Sequence, residues 1–280
     1  MNTIPNELFD AERSISMEAD LLGINRAAVE FADKLRGYLS GVKKYIVGVF
    51  TPLENERIIS FKQDQGIRKK LEATNYVNMV DINVFIPPGL DVAWVDYLDV
   101  LEDSQDLADT IITDVLRPAI VYFSQLLGTP ESLASINPIT AAQTIGNRED
   151  KIAAIRKRIG EAFKEGQTLD RGKYGKYFKR HADWSETNSR IGDLVEKITI
   201  TNPRTVSKSV GELTRLMDTL IIRMKQNPEH YSVSGVKAAD LAKIAMNLGK
   251  EVEFFAGHFY LIQQAAAAMD ETTKRFRTIL

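Results

Sequence analysis

From Leu241 to Leu280 nearly every third or fourth residue is apolar: Leu241, Ala245, Leu248, Val252, Phe255, Phe259, Ile262, Ala266, Met269, Thr273, Phe276 and Leu280 hold the alternation to the end. A strand repeats every second residue, so only a helix lines these positions up on one side. A straight helix drifts off so strict a heptad seam, which predicts a long, gently supercoiled helix of the coiled-coil type. Phe255, Phe259, Ile262 and Phe276 are its candidate interface residues. Left in water they would form an unusually large apolar patch, so a second copy or another helical partner is expected to cover them. The competing expectation is that helices within residues 189–224 cover the stripe.

Helical spacing recurs upstream. Val206, Val210, Leu213, Met217, Leu220 and Met224 form a second stripe, closed by Pro228, and Ile191, Leu194, Val195 and Ile198 a third. Arg148 to Glu165 carries Ile152, Ile155, Ile159 and Phe163. Ser16 to Val42 carries Leu21, Ala28, Ala32, Leu35, Leu39 and Val42. A helix from about Ser104 to Leu127 is expected to kink or divide at Pro118, which lacks the backbone donor a helix interior needs. Strand-like runs occur only in the N-terminal third. Tyr45 to Phe50 and Arg57 to Phe61 flank a turn at Pro52, and Tyr76 to Ile86 alternates in part before Pro87, Pro88 and Gly89. The expected fold is therefore mainly α-helical: a helical bundle with a small β hairpin or three-stranded sheet in the N-terminal third and a long C-terminal helix. The proline- and glycine-punctuated stretch 128–147 is the best boundary. It separates residues 1–140, a helical region with the β insertion and acidic helices, from 141–280, the C-terminal bundle.

Composition removes several chemistries. With no cysteine in 280 residues there is no disulfide framework, zinc-thiolate site or cysteine nucleophile. His181, His230 and His258 are too far apart for a short-range metal motif. Gly172, Lys173, Tyr174, Gly175 and Lys176 only superficially suggest a phosphate loop, because the Gly-x-x-x-x-Gly-Lys-Ser/Thr pattern is missing and no strand signal precedes them. There is no Gly-x-Gly-x-x-Gly after a strand and no Gly-x-Ser-x-Gly elbow. Neither Glu251 nor Glu253 stands three residues before His258, as a helical dinuclear site would want. No catalytic residue, metal ligand or cofactor site is expected, and the chain reads as a non-enzyme. Its apolar runs are too short to cross a bilayer, and Met1 to Pro5 does not open a secretory signal. The expected location is the cytoplasm or a large assembly.

Charge is unevenly distributed although the net value is only -2. Residues 81–140 carry ten acidic side chains against Arg117, and residues 141–181 carry eleven basic against five acidic. Asp91, Asp96, Asp99, Glu102, Asp103, Asp106 and Asp109 interleave with Leu98, Leu101 and Leu107, as on the wet face of a helix. The candidate recognition residues are Arg171, Lys173, Tyr174, Lys176, Tyr177, Lys179 and Arg180, five cations and two aromatics in one short segment that also holds Phe178 and His181. Cations neutralise phosphate and aromatics stack on bases, so this segment suits nucleic acid; the same residue types anchor protein interfaces. The expected function is a structural protein or adaptor, a component of a larger assembly that works by protein-protein interaction with other copies or other assembly proteins. A virion component is one concrete form. A nucleic-acid-binding accessory protein using 171–181 is the alternative.

Overall fold

The computed structural model describes residues 24–55, 64–90, 93–128, 148–159, 168–200, 203–228 and 238–280. Helices dominate: α1 (Ile24–Asn55), α2 (Gln65–Ala73), α3 (Trp94–Asp109), α4 (Arg117–Gln125), α5 (Glu149–Ile159), the single turn α6 (Tyr174–Tyr177), α7 (His181–Ile200), α8 (Pro203–Gln226) and α9 (Ala238–Ile279). Two short strands, β1 (Asn83–Ile86) and β2 (Asp170–Lys173), pair antiparallel with Val84 opposite Gly172 and Phe85 opposite Arg171. The mainly helical class, the small sheet and the long C-terminal helix all stand as expected.

Only one of the expected strand runs supplies a strand among the described residues. Tyr45 to Phe50 lies inside α1. There Leu39, Val42, Ile46 and Phe50 are buried while Val47 is exposed, a three-four rhythm that continues the α1 stripe and packs on α8. Burial of one helical face outweighs the weak intrinsic preference of β-branched residues. Tyr76 to Asn78 is a 3-10 turn capped by Asn75, and only the end of the third run is extended. Its partner is not a neighbour in sequence but the stretch 170–173. Arg57 to Phe61, Leu21, Asp91, Phe163, His230 and nearly all of 128–147 lie outside the described residues.

The chain forms two compact units, each built from three stretches. Unit 1 takes Met1–Asn55, Thr110–Lys151 and Pro203–Phe254; unit 2 takes Glu56–Asp109, Ile152–Asn202 and Phe255–Leu280. Both halves of the composition-based division at 140 therefore contribute to both units.

In unit 1, α8 packs on α1 and α4 through Val206, Val210, Leu213, Met217, Leu220 and Met224, all buried. Ahead of α4 the backbone widens into a π-helical segment, Ile111–Leu116, and Pro118 then occupies the first turn of α4. Proline is tolerated there because the first turn has no intrahelical partner for its missing N–H. The division expected at Pro118 thus falls one turn earlier.

In unit 2, α7 packs on α3 and α2 through Trp184, Ile191, Leu194 and Val195. The segment of α9 belonging to this unit is buried well beyond one stripe: Leu261, Ala265, Ala268 and Thr272 are as inaccessible as Phe259 and Ile262. A helix buried on most sides is no surface helix, and a heptad seam is then one line on a buried rod.

Candidate functional site: a cationic ridge and two buried polar networks

The segment 170–181 is built in unit 2 from alternating demands. Tyr174 and Phe178, four residues apart, turn inward and are 0% and 1% exposed. Tyr174 lies 5.1 Å from Phe178 and 5.9 Å from Phe276, ring centre to ring centre, while Phe178 stacks on Trp94. Polar atoms of the same residues are matched: Tyr76 donates its hydroxyl to Phe178 O at 2.5 Å, and His181 Nε2 donates to Thr74 O at 3.0 Å. That leaves His181 Nδ1 to accept from the Tyr174 hydroxyl at 2.9 Å. Burial pushes the Tyr174 hydroxyl well above the ordinary tyrosine range. The glycines that imitated a phosphate loop serve packing. A Cβ at Gly172 would stand 2.2 Å from Tyr177 Cε2, and one at Gly175 would stand 2.7 Å from Val80 Cγ1.

The cations of the segment face solvent. Arg171 lies over the Phe85 ring at 5.4 Å and Lys176 over Tyr177 at 4.9 Å. Lys173 and Lys179 donate to the carbonyls of Asp81 and Gly175. Among the described residues none of these four reaches a carboxylate. Arg180 differs, because Asp183 takes its guanidinium and also accepts the backbone N–H groups of Lys179 and Arg180 at the start of α7. Tyr177 is half-buried. The recognition residues inferred from sequence are therefore split: Arg171, Lys173, Lys176, Lys179 and Arg180 make an exposed ridge, and Tyr174 lies in the core beneath it.

The interface residues inferred from sequence behave differently. Phe255, Phe259, Ile262 and Phe276 are 2%, 1%, 0% and 0% exposed within the single chain. They are removed from water within the single chain, and Phe276 packs against Trp184 and Tyr174. The expectation that a second copy or another helical partner is needed to cover these residues is corrected by their burial within one chain, which no pattern along one helix could reveal.

The acidic face of α3 is partly answered from within unit 2. Arg190 on α7 donates to Glu102 at 2.8 and 2.9 Å and to Asp99 at 2.5 Å. These hydrogen bonds, Glu102 foremost, hold its guanidinium still more firmly protonated than usual. Arg158 donates to Asp103 at 2.7 Å. Asp96 and Asp106 are exposed. No group of three or more histidine, aspartate and glutamate side chains among the described residues could hold a metal ion. No described helix is long and apolar enough to cross a membrane.

Two buried polar networks escaped the sequence reading because their members are far apart in the chain. In unit 2, Ser104 Oγ lies 2.5 Å from His258 Nδ1, and His258 Nε2 lies 2.8 Å from Gln105 Oε1. Gln105 donates its amide to Asp109, so its oxygen accepts from His258 Nε2–H, leaving Nδ1 as the acceptor facing Ser104. The serine hydroxyl also lies 2.8 Å from Leu101 O, and its one proton serves either acceptor. Burial lowers the His258 pKa to about 3, so the ring is neutral. The pairing resembles a nucleophile and its base, yet Ser104 and His258 are 0% and 1% exposed, closed off by packing on both helices. In unit 1, Glu251 is buried with Oε1 3.3 Å from Arg148 Nε. Desolvation raises its carboxyl to about 7 even though Arg148 pulls the other way. Compared with known proteins, the chain matches no family model, no curated protein and no solved structure.

Proposed function

We propose that the protein is a non-catalytic component of a larger protein assembly and that its ridge, Arg171, Lys173, Lys176 and Lys179, docks on an acidic protein surface. The observation that carries this reading is the pairing of exposed cations lacking carboxylate partners with a backbone anchored by buried Tyr174 and Phe178. A charged surface held on a rigid element loses little entropy when a partner binds. The acidic face of α3 in a second copy has suitable chemistry, as does any comparable face on another assembly protein; a virion component is one form of this function. The buried Ser104–His258 pair carries no catalytic reading of its own, because a nucleophile needs an open face for its substrate.

Nucleic acid is the weaker fit. Stacking on bases requires exposed rings, and of the three aromatics in the segment two are in the core while Tyr177 lies half-buried beneath Lys176. Binding of a poly-glutamate peptide and of a single-stranded oligonucleotide of equal charge, each at two salt concentrations, separates the readings. The proposal expects peptide binding at least as tight as oligonucleotide binding, and loss of both when Lys173, Lys176 and Lys179 become Glu. Oligonucleotide binding tenfold tighter than peptide binding would overturn it.

A further inference from the structure

In unit 1 the guanidinium of Arg148 stands between two carboxylates. The inner one, Glu251, is 2% exposed and neither of its oxygens makes a hydrogen bond; its attraction to Arg148 is an ion pair at 3.3 Å, out of line for a hydrogen bond. The outer one, Asp114, has a half-exposed side chain with Oδ2 4.0 Å from Arg148 Nη1. Arg148 itself is 7% exposed and donates from the same Nη1 to Thr110 Oγ1 at 2.9 Å. One turn before Glu251 on α9, Asn247 is also buried, and neither atom of its amide is hydrogen-bonded. Asp114 lies in the π-helical segment, a local widening of the helix that recurs at functional positions.

We propose that Glu251 and Asp114 form a two-position latch for Arg148, thrown by a proton taken up from solvent on the Glu251 carboxylate. With Glu251 ionised, the buried guanidinium is held inward, since charges attract more strongly where solvent is excluded. When Glu251 accepts a proton, the inner attraction is lost while that of Asp114 remains, drawing Arg148 toward solvent. The neutral acid gains an O–H donor, and Asn247, on the same face of α9, offers an amide oxygen without a donor of its own. The charged groups that act on Glu251 are Arg148 from the start of α5, which favours ionisation, and Asp114 from the π-helical segment, which opposes it. Lys250, next along α9, is occupied by an ion pair with Glu149 in the first turn of α5. Burial outweighs Arg148 and sets the balance at about 7, where a modest change of pH moves the population.

Carbon-13 carboxyl and arginine Nε–Hε resonances of the full chain, followed from pH 5 to pH 9, test this directly. The expected result is a Glu251 midpoint near 7 and an Arg148 Nε shift with the same midpoint, lost in Glu251→Gln. Asp114→Asn alters an exposed group and should leave the fold intact; it is expected to lower the Glu251 midpoint and shrink the Arg148 shift. A Glu251 midpoint below 5, or an Arg148 resonance that stays still through the Glu251 transition, would overturn the latch.

Discussion

Acid should weaken unit 2 and strengthen unit 1, because each buries one titratable group in its neutral form and the two have opposite charge types. His258 has an ordinary pKa of 6.5 when unfolded and about 3 when folded. Between these values only the unfolded chain binds the proton, so the stability is fully present above 6.5 and is lost as pH falls toward 3. At pH 4.5 the gap is about two pH units, or about 2.7 kcal/mol, which makes opening about a hundredfold more frequent. Glu251 runs the other way: its carboxyl is raised from 4.5 to about 7, so its contribution is present below 4.5 and lost as pH rises through 7. From pH 8 to 4.5 unit 1 gains about 3 kcal/mol on that account. Asp64, held below the ordinary carboxylate range first by its hydrogen bond from Arg277, enters only at still lower pH. Both tryptophans, Trp94 and Trp184, are buried in unit 2, so fluorescence during urea unfolding reports that unit. Hydrogen exchange of peptides from 238–254 reports unit 1. The reasoning fails if peptides around Ser104 and His258 keep equal protection factors at pH 4.5 and 8, or if the imidazole titrates near 6.5. In His258→Gln the fluorescence midpoint should lose most of its acid sensitivity between those pH values.

Glu251→Gln should stabilise unit 1 at pH 8.5 by about 3 kcal/mol and have no advantage at pH 4.5; urea titrations followed by exchange of 238–254 give the answer, and a variant weaker at high pH would contradict it. Phe276→Ala should cost about 3–5 kcal/mol by leaving a cavity between Trp184 and Tyr174, measured as a lower urea midpoint by tryptophan fluorescence. Gly172→Ala should cost about 1–3 kcal/mol, because the methyl group collides with the Tyr177 ring; thermal unfolding is sufficient to read it. Reversing Lys173, Lys176 and Lys179 to Glu should change stability by no more than about 0.5 kcal/mol, since all three are exposed, and a large drop in melting temperature would mean that the ridge is structural.

Spacing along the chain was enough to identify the helices whose one face is apolar: the stripes of α8 and of the C-terminal half of α7 are buried residue for residue. It was enough because helical periodicity is a local property, repeated often enough in 20 or more residues to outweigh individual preferences. The same logic was available for Ile46 and Phe50, which continue the stripe of α1, but β-branched composition masked it. The five cations of the ridge could be read as a group, since they lie within ten residues of one another.

What lay beyond the sequence is whatever depends on residues distant in the chain. Pairing of Asn83–Ile86 with Asp170–Lys173 spans a separation no hairpin signal encodes. Ser104 meets His258, and Arg148 meets Glu251, only because helices far apart in sequence pack together, and their shifted proton affinities follow from that burial. The stripe of α9 shows the division most plainly. Its sequence determined that Phe255, Phe259, Ile262 and Phe276 share a line on one helix and must leave water; apolar burial has no direction and does not distinguish a neighbour in the same chain from one in another. Which surface covers them was decided by the tertiary structure, where the line is buried within a single chain.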